Sequence, residues 1–425
     1  MKIRFYNARI LTMNGNCDLT EGELWTQDER IAYVGPARDC EGMEWDREID
    51  CRGNVLMPGF KNAHTHSGMT AMRSFADDMP LQEWLNTKIF PLEAKMTEQD
   101  NYDLTCLAIL EYLTGGVTSI FDMYLSPKDI ARACIDLGMR CVLVSGLNKF
   151  GPSVEEMERR YLSLNGMNPL ISYKMGVHAE YTCDRALLEE VSALVHKYRT
   201  PFYAHMSETK LETDECIGRY NMTPPQFFDS LGLFDFGGGI YHGVYLTEED
   251  MDLFAKKGIG VVTNPGSNTK LASGIAPVGR FLEKGICVGI GTDGPSSNNC
   301  LDMFREMFLV TGLAKLLQKD ASAVDAGEVL KMATVNGAQI MGLPDADMLA
   351  EGKLADVIMI DLHQPNMQPL NNIAKNIVYS GSKQNVKMTM INGRILYEDG
   401  VFLNGVDAEA IYAKANEIIA RLAEA

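Results

Sequence analysis

The 425-residue chain contains no C-x-x-C pair, no apolar run near the roughly 20 residues that a membrane helix needs, and a shortage of positive charge. With 39 Lys+Arg against 57 Asp+Glu, the formal net charge is -18. That balance argues against nucleic-acid or anionic-membrane partners, which require a basic face to neutralise phosphates. The ten cysteines are scattered, and a chain of this length needs no disulfide staples, so reduced and mostly buried thiols in a cytoplasmic protein are the expectation. The first ten residues, Met1 to Ile10, alternate apolar and polar side chains and read as a strand, not as an export signal. No low-complexity stretch, Ser/Pro linker or sequence repeat appears, which excludes a flexible tether between domains. What is present, 46% hydrophobic and 23% charged residues, is ordinary globular composition.

Between Gly53 and about Gly342 one pattern recurs: a short apolar run ends in polar residues and a helical stretch follows. Eight runs fit it: Val55 to Phe60, Thr118 to Met123, Arg140 to Gly146, Ile171 to Ala179, Pro201 to Ser207, Gly239 to Leu246, Gly258 to Asn264, and Cys287 to Asp293. Buried parallel strands look like this, and eight strand–helix alternations predict an α/β fold of the (β/α)8 TIM-type barrel class. The two ends differ. Lys2 to Thr12, Arg30 to Gly35, Glu48 to Arg52, Ala355 to Asp361, Asn376 to Ser380 and Val386 to Asn392 read as short strands. Neither end can bury a sheet alone, so both should combine into one small composite β-sandwich domain. The expected division is 1–57 and 346–406 for that domain, 58–345 for the barrel, and 407–425 for a terminal helix.

Catalytic groups of such barrels lie at the carboxyl ends of the strands. The first run leads into His64-Thr65-His66, whose spacing of two points both imidazoles one way. The fourth reaches His178 and Glu180, the fifth His205, the sixth His242, and the eighth Asp293. Any one of these alone would more often be an ordinary polar residue, and His196 and His363 fall outside the pattern. Five of the seven histidines on one rim leave little room for coincidence. Three imidazoles and a carboxylate converging on one point suit a borderline metal such as Zn2+ or Fe2+.

The strings Pro58-Gly59-Phe60-Lys61-Asn62-Ala63-His64-Thr65-His66, His205-Met206-Ser207-Glu208, His242 and Gly291-Thr292-Asp293-Gly294 resemble the amidohydrolase superfamily. Arg73 to Asp78, Gln82-Glu83-Trp84-Leu85, Asn264 to Leu271 and Ser296 to Asn299 resemble, more narrowly, its S-adenosylhomocysteine and 5'-methylthioadenosine deaminase branch, near the triazine hydrolases. The resemblance implies one divalent metal ion, Zn2+ first and Fe2+ second, held by His64, His66, His205 and Asp293, with His242 holding the hydrolytic water. A bound ion brings the pKa of water from about 16 to near 7. Asp293 would then take the water proton, and Glu208 would protonate the ring nitrogen as general acid. Dinuclear relatives carry a bridging lysine at the end of the fourth strand. Lys174, the one lysine in that run, lies roughly 13 Å of strand rise below His178, which argues against a two-metal site. His178-Ala179-Glu180 also mimics the H-x-E of the cytidine-deaminase zinc fold, but its P-C-x-x-C partner is absent.

For the substrate, the resemblance assigns His178 to the purine ring and Glu83 to the ribose hydroxyls. Arginines expected after the third strand to grip a substrate carboxylate are missing from Ser145 to Glu156, and Lys149 is a poor substitute for a bidentate fork. The expectation is therefore a hydrolytic deaminase of adenosine-type nucleosides, favouring 5'-methylthioadenosine or 5'-deoxyadenosine over S-adenosylhomocysteine. A deaminase or chlorohydrolase acting on a guanine-like base or a triazine is the alternative. A catalytically inactive assembly protein is the distant one, disfavoured because the ligand set is intact. The expected partners are a small molecule and, by resemblance, further copies of the chain as a homo-oligomer; the 25 Met could serve such an interface.

Overall fold

At Gly59 the chain leaves one sheet for another. The Gly59 N–H donates to the Asp356 carbonyl at 3.1 Å, while the next N–H, of Phe60, donates to Gly116 at 2.9 Å. A Cβ at Gly59 would stand 2.0 Å from the Thr118 methyl group, so only glycine permits the crossing. The computed structural model describes residues 1–15 and 17–424. Before Gly59 come β1 (Lys2–Leu11), β2 (Leu19–Gln27), β3 (Arg30–Gly35), β4 (Arg47–Asp50) and β5 (Val55–Pro58). After it come the eight parallel strands β6 (Phe60–Thr65), β7 (Val117–Asp122), β8 (Arg140–Val144), β9 (Ile171–Gly176), β10 (Phe202–Met206), β11 (Gly238–His242), β12 (Ile259–Thr263) and β13 (Val288–Ile290). Val55 to Phe60 is thus not one barrel strand. Its first four residues pair with the terminal sheet, and the first barrel strand is the segment that carries the histidines.

The eight strands neighbour one another in sequence order, and the seam is closed between the last and the first. The N–H groups of Thr292 and Asp293 both donate to the His64 carbonyl, at 3.1 and 3.0 Å. This is the (β/α)8 barrel the alternation predicts. Its outer helices begin at side-chain caps, such as Thr97, Asp184, Thr209 and Thr247, and three end on left-handed glycines, Gly138, Gly258 and Gly342.

The C-terminal strands β14 (Val357–Ile360), β15 (Val386–Ile391), β16 (Arg394–Glu398) and β17 (Val401–Phe402) join β1–β5 in one mixed sheet. Among the described residues it has nine strands, in the order β17-β16-β15-β14-β5-β1-β2-β3 with β4 beside β1. One edge of β1 serves two partners, β4 along Ile3–Tyr6 and β5 along Arg9–Ile10. Period-two alternation divides its side chains between two cores. Leu56, Val357 and Met359 turn to the sheet's own core with Ile3, Phe5, Leu24 and Met388. Val55, Met57, Ile358 and Ile360 turn to the barrel's core, each burial contributing roughly 1.5–3 kcal/mol. The sheet is therefore fastened to the barrel by every second residue of its central strands.

Two further sequence expectations change. Asn376 to Ser380 is not a strand: Ile373–Tyr379 is a helix, capped by the Asn372 side chain, with Ile373, Ala374, Ile377 and Val378 buried at helical spacing. The β-branched residues there serve a helical face, because a cap sets the local conformation before propensity does. The terminal helix spans Ala408–Glu424 and lies against helix Glu98–Thr114 and the Ser67–Met72 segment, with Ala415, Ile418 and Leu422 buried in a cluster that also holds Trp84 and Ile89; Ala425 lies outside the described residues. Among the described residues no helix is long and apolar enough to cross a membrane, and all ten cysteines are free.

The barrel floor and the sheet also share a buried ion pair. Arg140 Nε and Nη2 donate to Asp356 Oδ2 and Oδ1 at 2.7 and 3.0 Å, with 3% and 2% of the two residues exposed. Removing one partner strands a charge in low dielectric, typically at about 3–5 kcal/mol. Asp356→Ala should lower unfolding stability by that amount, read as a drop in the urea midpoint, whereas Lys387→Ala, which breaks the exposed pair with Asp399, should cost about 0–1 kcal/mol.

Candidate active site and metal centre

The rim at the carboxyl ends of the strands gathers His64 from β6, His66 just after it, His205 from β10 and Asp293 after β13. Their ligand atoms all lie within 4.8 Å of one another. His66 Nδ1 donates to the Met123 carbonyl, and His205 Nδ1 donates to the His178 carbonyl at 2.7 Å. Each bond fixes the tautomer and leaves the Nε2 lone pair pointing inward. The two Nε2 atoms stand 3.4 Å apart, two acceptors facing each other. Asp293 Oδ1 is 3.0 Å from His66 Nε2 and 3.4 Å from His64 Nε2. His64 is 0% exposed, and neither ring nitrogen has a hydrogen-bond partner. A buried imidazole left unsatisfied beside converging lone pairs fits a cation, and edges of 3.0–3.4 Å suit a tetrahedron of roughly 2 Å metal–ligand bonds.

Titration favours the same occupant. Burial pushes the His64 imidazole down to about 3 and the His178 imidazole down to about 4, so both are neutral at pH 7. Burial alone would raise Asp293, but the imidazoles of His64 and His66 outweigh it and hold the carboxyl well below its ordinary range. Asp293 Oδ2 also accepts from the hydroxyls of Ser267 at 2.6 Å and Ser297 at 2.8 Å.

Beside this cluster, His242 is buried with φ +76, a left-handed conformation that a non-glycine residue adopts only when its surroundings impose it. Its Nδ1 donates to Asn268 Oδ1 at 2.8 Å, leaving Nε2 as an acceptor 3.8 Å from Glu208 Oε2. Glu208 accepts from the Ser273 hydroxyl at 3.2 Å, and burial raises its pKa. Its backbone N–H and that of Ser207 donate to the two oxygens of Glu212, both at 2.9 Å. Glu208, His242 and His178 line one cavity of about 380 Å³ with His66, His205 and Asp293.

Glu83 is not brought to this site. It is exposed on the outer side of helix Leu81–Trp84, which turns Leu81 and Trp84 to the cavity. The carboxylate of this segment that does line the cavity is Glu93, at the end of helix Phe90–Glu93, beyond the intervening turn Leu85–Ile89. Burial pushes it up to about 7, offset in part by the Tyr124 hydroxyl. The signal was present: Leu81, Leu85, Ile89 and Glu93 recur every four residues and all line the cavity. Arg160, from helix Val154–Leu164, also reaches the wall, so a guanidinium is present that the loop after β8 does not supply. Its Nε donates to Glu156 Oε1 at 2.8 Å. Lys174 points to Gly342 and stays away from the cluster, and Glu180 pairs with Arg219.

Eight parallel strands closed at His64, with a three-histidine, one-aspartate cluster at their carboxyl ends, define a barrel hydrolase of the metal-dependent class. Residues 55–396 match the amidohydrolase family, and the chain belongs to it. It is 40% identical over 424 residues to a 5-methylthioadenosine/S-adenosylhomocysteine deaminase of Desulforamulus reducens, covering 98% of both chains. It is also 40% identical to one of Syntrophomonas wolfei, covering 99% of both. A zinc-bound crystal structure of an adenosine deaminase from Xanthomonas campestris superposes with a TM-score of 0.94 at 30% identity, over 100% of this chain and 98% of that one. A zinc complex of atrazine chlorohydrolase from Arthrobacter aurescens, 22% identical, shares the fold with a TM-score of 0.88, over 98% of this chain and 100% of that one.

One divalent ion per chain should be found by elemental analysis. His64→Ala and Asp293→Ala should each weaken its retention by more than the roughly 10–100-fold expected for an outer partner, with far-UV circular dichroism unchanged.

Proposed function

We propose that this protein is a zinc-dependent deaminase of adenosine-type nucleosides, replacing the 6-amino group by oxygen with release of ammonia. The observation that carries the reading is Glu208, a buried carboxyl of raised pKa, set 3.8 Å from Nε2 of His242 in the same cavity as the candidate ligands His66, His205 and Asp293. Zinc is the preferred ion because the site has three imidazoles and one carboxylate. When bound, it supplies Lewis acidity and brings the pKa of water to about 7. The relatives' names and ten unpaired thiols support a nucleoside substrate and a reducing, cytoplasmic setting.

The side chains divide the proton work. His242 Nε2 accepts a hydrogen bond from the attacking water and orients it, because Asn268 occupies the other ring nitrogen's proton. Asp293 Oδ1 faces that water and takes its proton, while Ser267 and Ser297 fix the other carboxylate oxygen. Glu208, whose pKa burial raises, gives its proton to the ring nitrogen that gains negative charge on attack. The proton taken by Asp293 then goes to the departing amine, and the hydroxyl left on the carbon returns its proton to Glu208 as the carbonyl forms. His178, neutral and bridged through Nδ1 to the Thr182 hydroxyl at 3.1 Å, offers its second nitrogen to the purine.

Glu93 replaces Glu83 as the proposed reader of the ribose. An ionised carboxylate can accept from both vicinal hydroxyls at once, and Glu93 faces the cavity where Glu83 does not. Leu81, Trp84, Leu85, Ile89 and Leu125 give the cavity an apolar wall suited to a 5'-methylthio or 5'-deoxy group. Because Arg160 is already engaged by Glu156, substrates without a 5' carboxylate remain the preferred class. A second reading, S-adenosylhomocysteine gripped by Arg160, is favoured only by that side chain's presence on the wall.

Ammonia release from 5'-methylthioadenosine, 5'-deoxyadenosine, adenosine, S-adenosylhomocysteine and guanine, with chloride release from a chlorotriazine, decides the substrate class. The first two should lead; turnover of free bases alone would reject the nucleoside reading, and S-adenosylhomocysteine leading, with the lead lost in Arg160→Ala, would establish the second. Glu208→Gln should lower kcat by about 10²–10⁴-fold.

Glu93 also sets a pH dependence. Its carboxyl is pushed up to about 7, so it is ionised above that pH and becomes protonated as pH falls through it. The KM for a nucleoside should therefore rise as pH drops from 8 to 6. In Glu93→Gln the KM should be high and flat across that range; a slope equal to that of the unmodified protein would remove Glu93 from the ribose site.

A further inference from the structure

We propose that Glu306 is a positioning residue for this centre: a buried carboxylate clasp that locks together the two rim segments holding Asp293 and His242. The inference rests on the reading of His64, His66, His205 and Asp293 as a metal site. Glu306 is 0% exposed, lies in helix Met303–Gln318 behind the rim and lines no part of the cavity.

Its two oxygens serve two different segments. Oε2 accepts from the Gly266 N–H at 2.8 Å, and Oε1 accepts from Asn298 Nδ2 at 2.9 Å. Gly266 begins the segment Pro265–Lys270, which sends Ser267 to Asp293 and Asn268 to His242. Asn298 belongs to the turn after β13, where Ser297 reaches the same Asp293 oxygen and the Asn298 amide also donates to the Thr292 carbonyl at 2.7 Å. Four contacts with Asp293, His242 and the backbone at Thr292 thus hang from two segments, and one carboxylate joins those segments.

The clasp is closed tightly. A Cβ at Gly266 would sit 2.4 Å from Glu306 Oε1 and 2.7 and 2.8 Å from the Asn298 amide atoms, so glycine is required for the approach. The chemistry requires a carboxylate as well. Both partners are donors, so glutamine must turn an N–H toward one of them. If packing alone mattered, an apolar residue of equal volume would serve without the desolvation that buries a charge. What such a residue could not do is satisfy Gly266 and Asn298 and so hold the two serines on Asp293.

The test uses the zinc-loaded, full-length protein and Glu306→Gln. Zinc affinity is measured against a competing chelator, kcat and KM with 5'-methylthioadenosine, and melting temperature on the metal-free form. Loss of an outer partner of a metal ligand typically costs 10–100-fold, so zinc affinity and kcat should each fall by about that factor. Because Glu306 touches no substrate, KM should stay within about twofold. The proposal is overturned if zinc affinity and kcat stay within about twofold of the unmodified protein, or if only KM changes. Should Glu306→Gln fail to fold, Asn298→Ala keeps the bond to Gly266 and removes one arm. It should show about a tenfold loss of zinc affinity, and an unchanged affinity would overturn the proposal equally. Failure of the unmodified protein to bind zinc would instead remove the metal reading on which the clasp rests, and the affinity comparison separates the two because it needs no substrate.

Discussion

The site depends on the seam that closes the barrel. β13 is three residues long, too short to complete a ladder with β6, and closure is carried by the N–H groups of Thr292 and Asp293 on the single carbonyl of His64. Two hydrogen bonds to one acceptor require the chain to turn there, and Asp293 takes φ +58 to do so. The residue whose backbone closes the barrel is therefore the residue whose side chain faces the histidines, and its acceptor is the backbone of one of them. Gly291 is part of the same constraint, since a Cβ there would meet Asn264 Oδ1 at 2.4 Å and His64 Cβ at 2.8 Å. Barrel closure and the convergence of these side chains share the same residues, so whatever disturbs the seam also displaces the cluster.

Around that seam the protein buries acids that take no part in its core packing. Asp122 accepts the Ser67 N–H, Glu212 the N–H groups of Ser207 and Glu208, and Glu306 that of Gly266. Burial pushes Asp122 up to about 6 and the two glutamates up to about 7. Each is a cost in stability, because desolvation opposes the charge that makes it a good acceptor. Each also fixes a loop end that leads directly from a strand to a functional side chain. The rim is consequently rigid where loops are ordinarily soft, and stability given up in these positions is recovered in the apolar interface between barrel and sheet.

The fold was largely legible in the sequence because its signals are local. Eight apolar runs ending in polar residues, separated by capped helices, admit few other architectures, and histidines placed at the run ends have only one rim on which to meet. The junction at Gly59 was missed because Val55 to Phe60 is apolar throughout, and an unbroken apolar run does not show that alternate residues face different cores. The helix Ile373–Tyr379 was missed because Ile377 and Val378 suit a strand equally well in isolation. The rim histidines and Asp293 could be read from spacing, and the resemblance picked the four candidate ligands out of them, whereas Ser267, Asn268, Ser297 and Asn298 could be read only as motif letters. Their duties follow from which atoms the closed barrel brings within 3 Å, and no local pattern encodes that.

The exchange of Glu83 for Glu93 shows what local reasoning lacks at a site wall. Leu81, Leu85, Ile89 and Glu93 stand at four-residue steps, and in a regular helix such a ladder drifts by about 40° per step, turning Glu93 well away from Leu81. Here Leu85–Ile89 is a π turn, wider than an α turn because its bonds close from i to i+5. The extra width counters the drift and returns Ile89 and Glu93 toward the cavity. Glu83, one residue before Trp84, is displaced about 100° from a side chain that faces inward and stays in water. Trp84, Leu85 and Ile89 also share an apolar cluster with Ala415, Ile418 and Leu422 of the C-terminal helix, which itself lies against helix Glu98–Thr114. That helix, remote from the chemistry in sequence, thus belongs to the same apolar cluster as the wall that presents Glu93, and the packing behind that wall extends to the last turns of the chain.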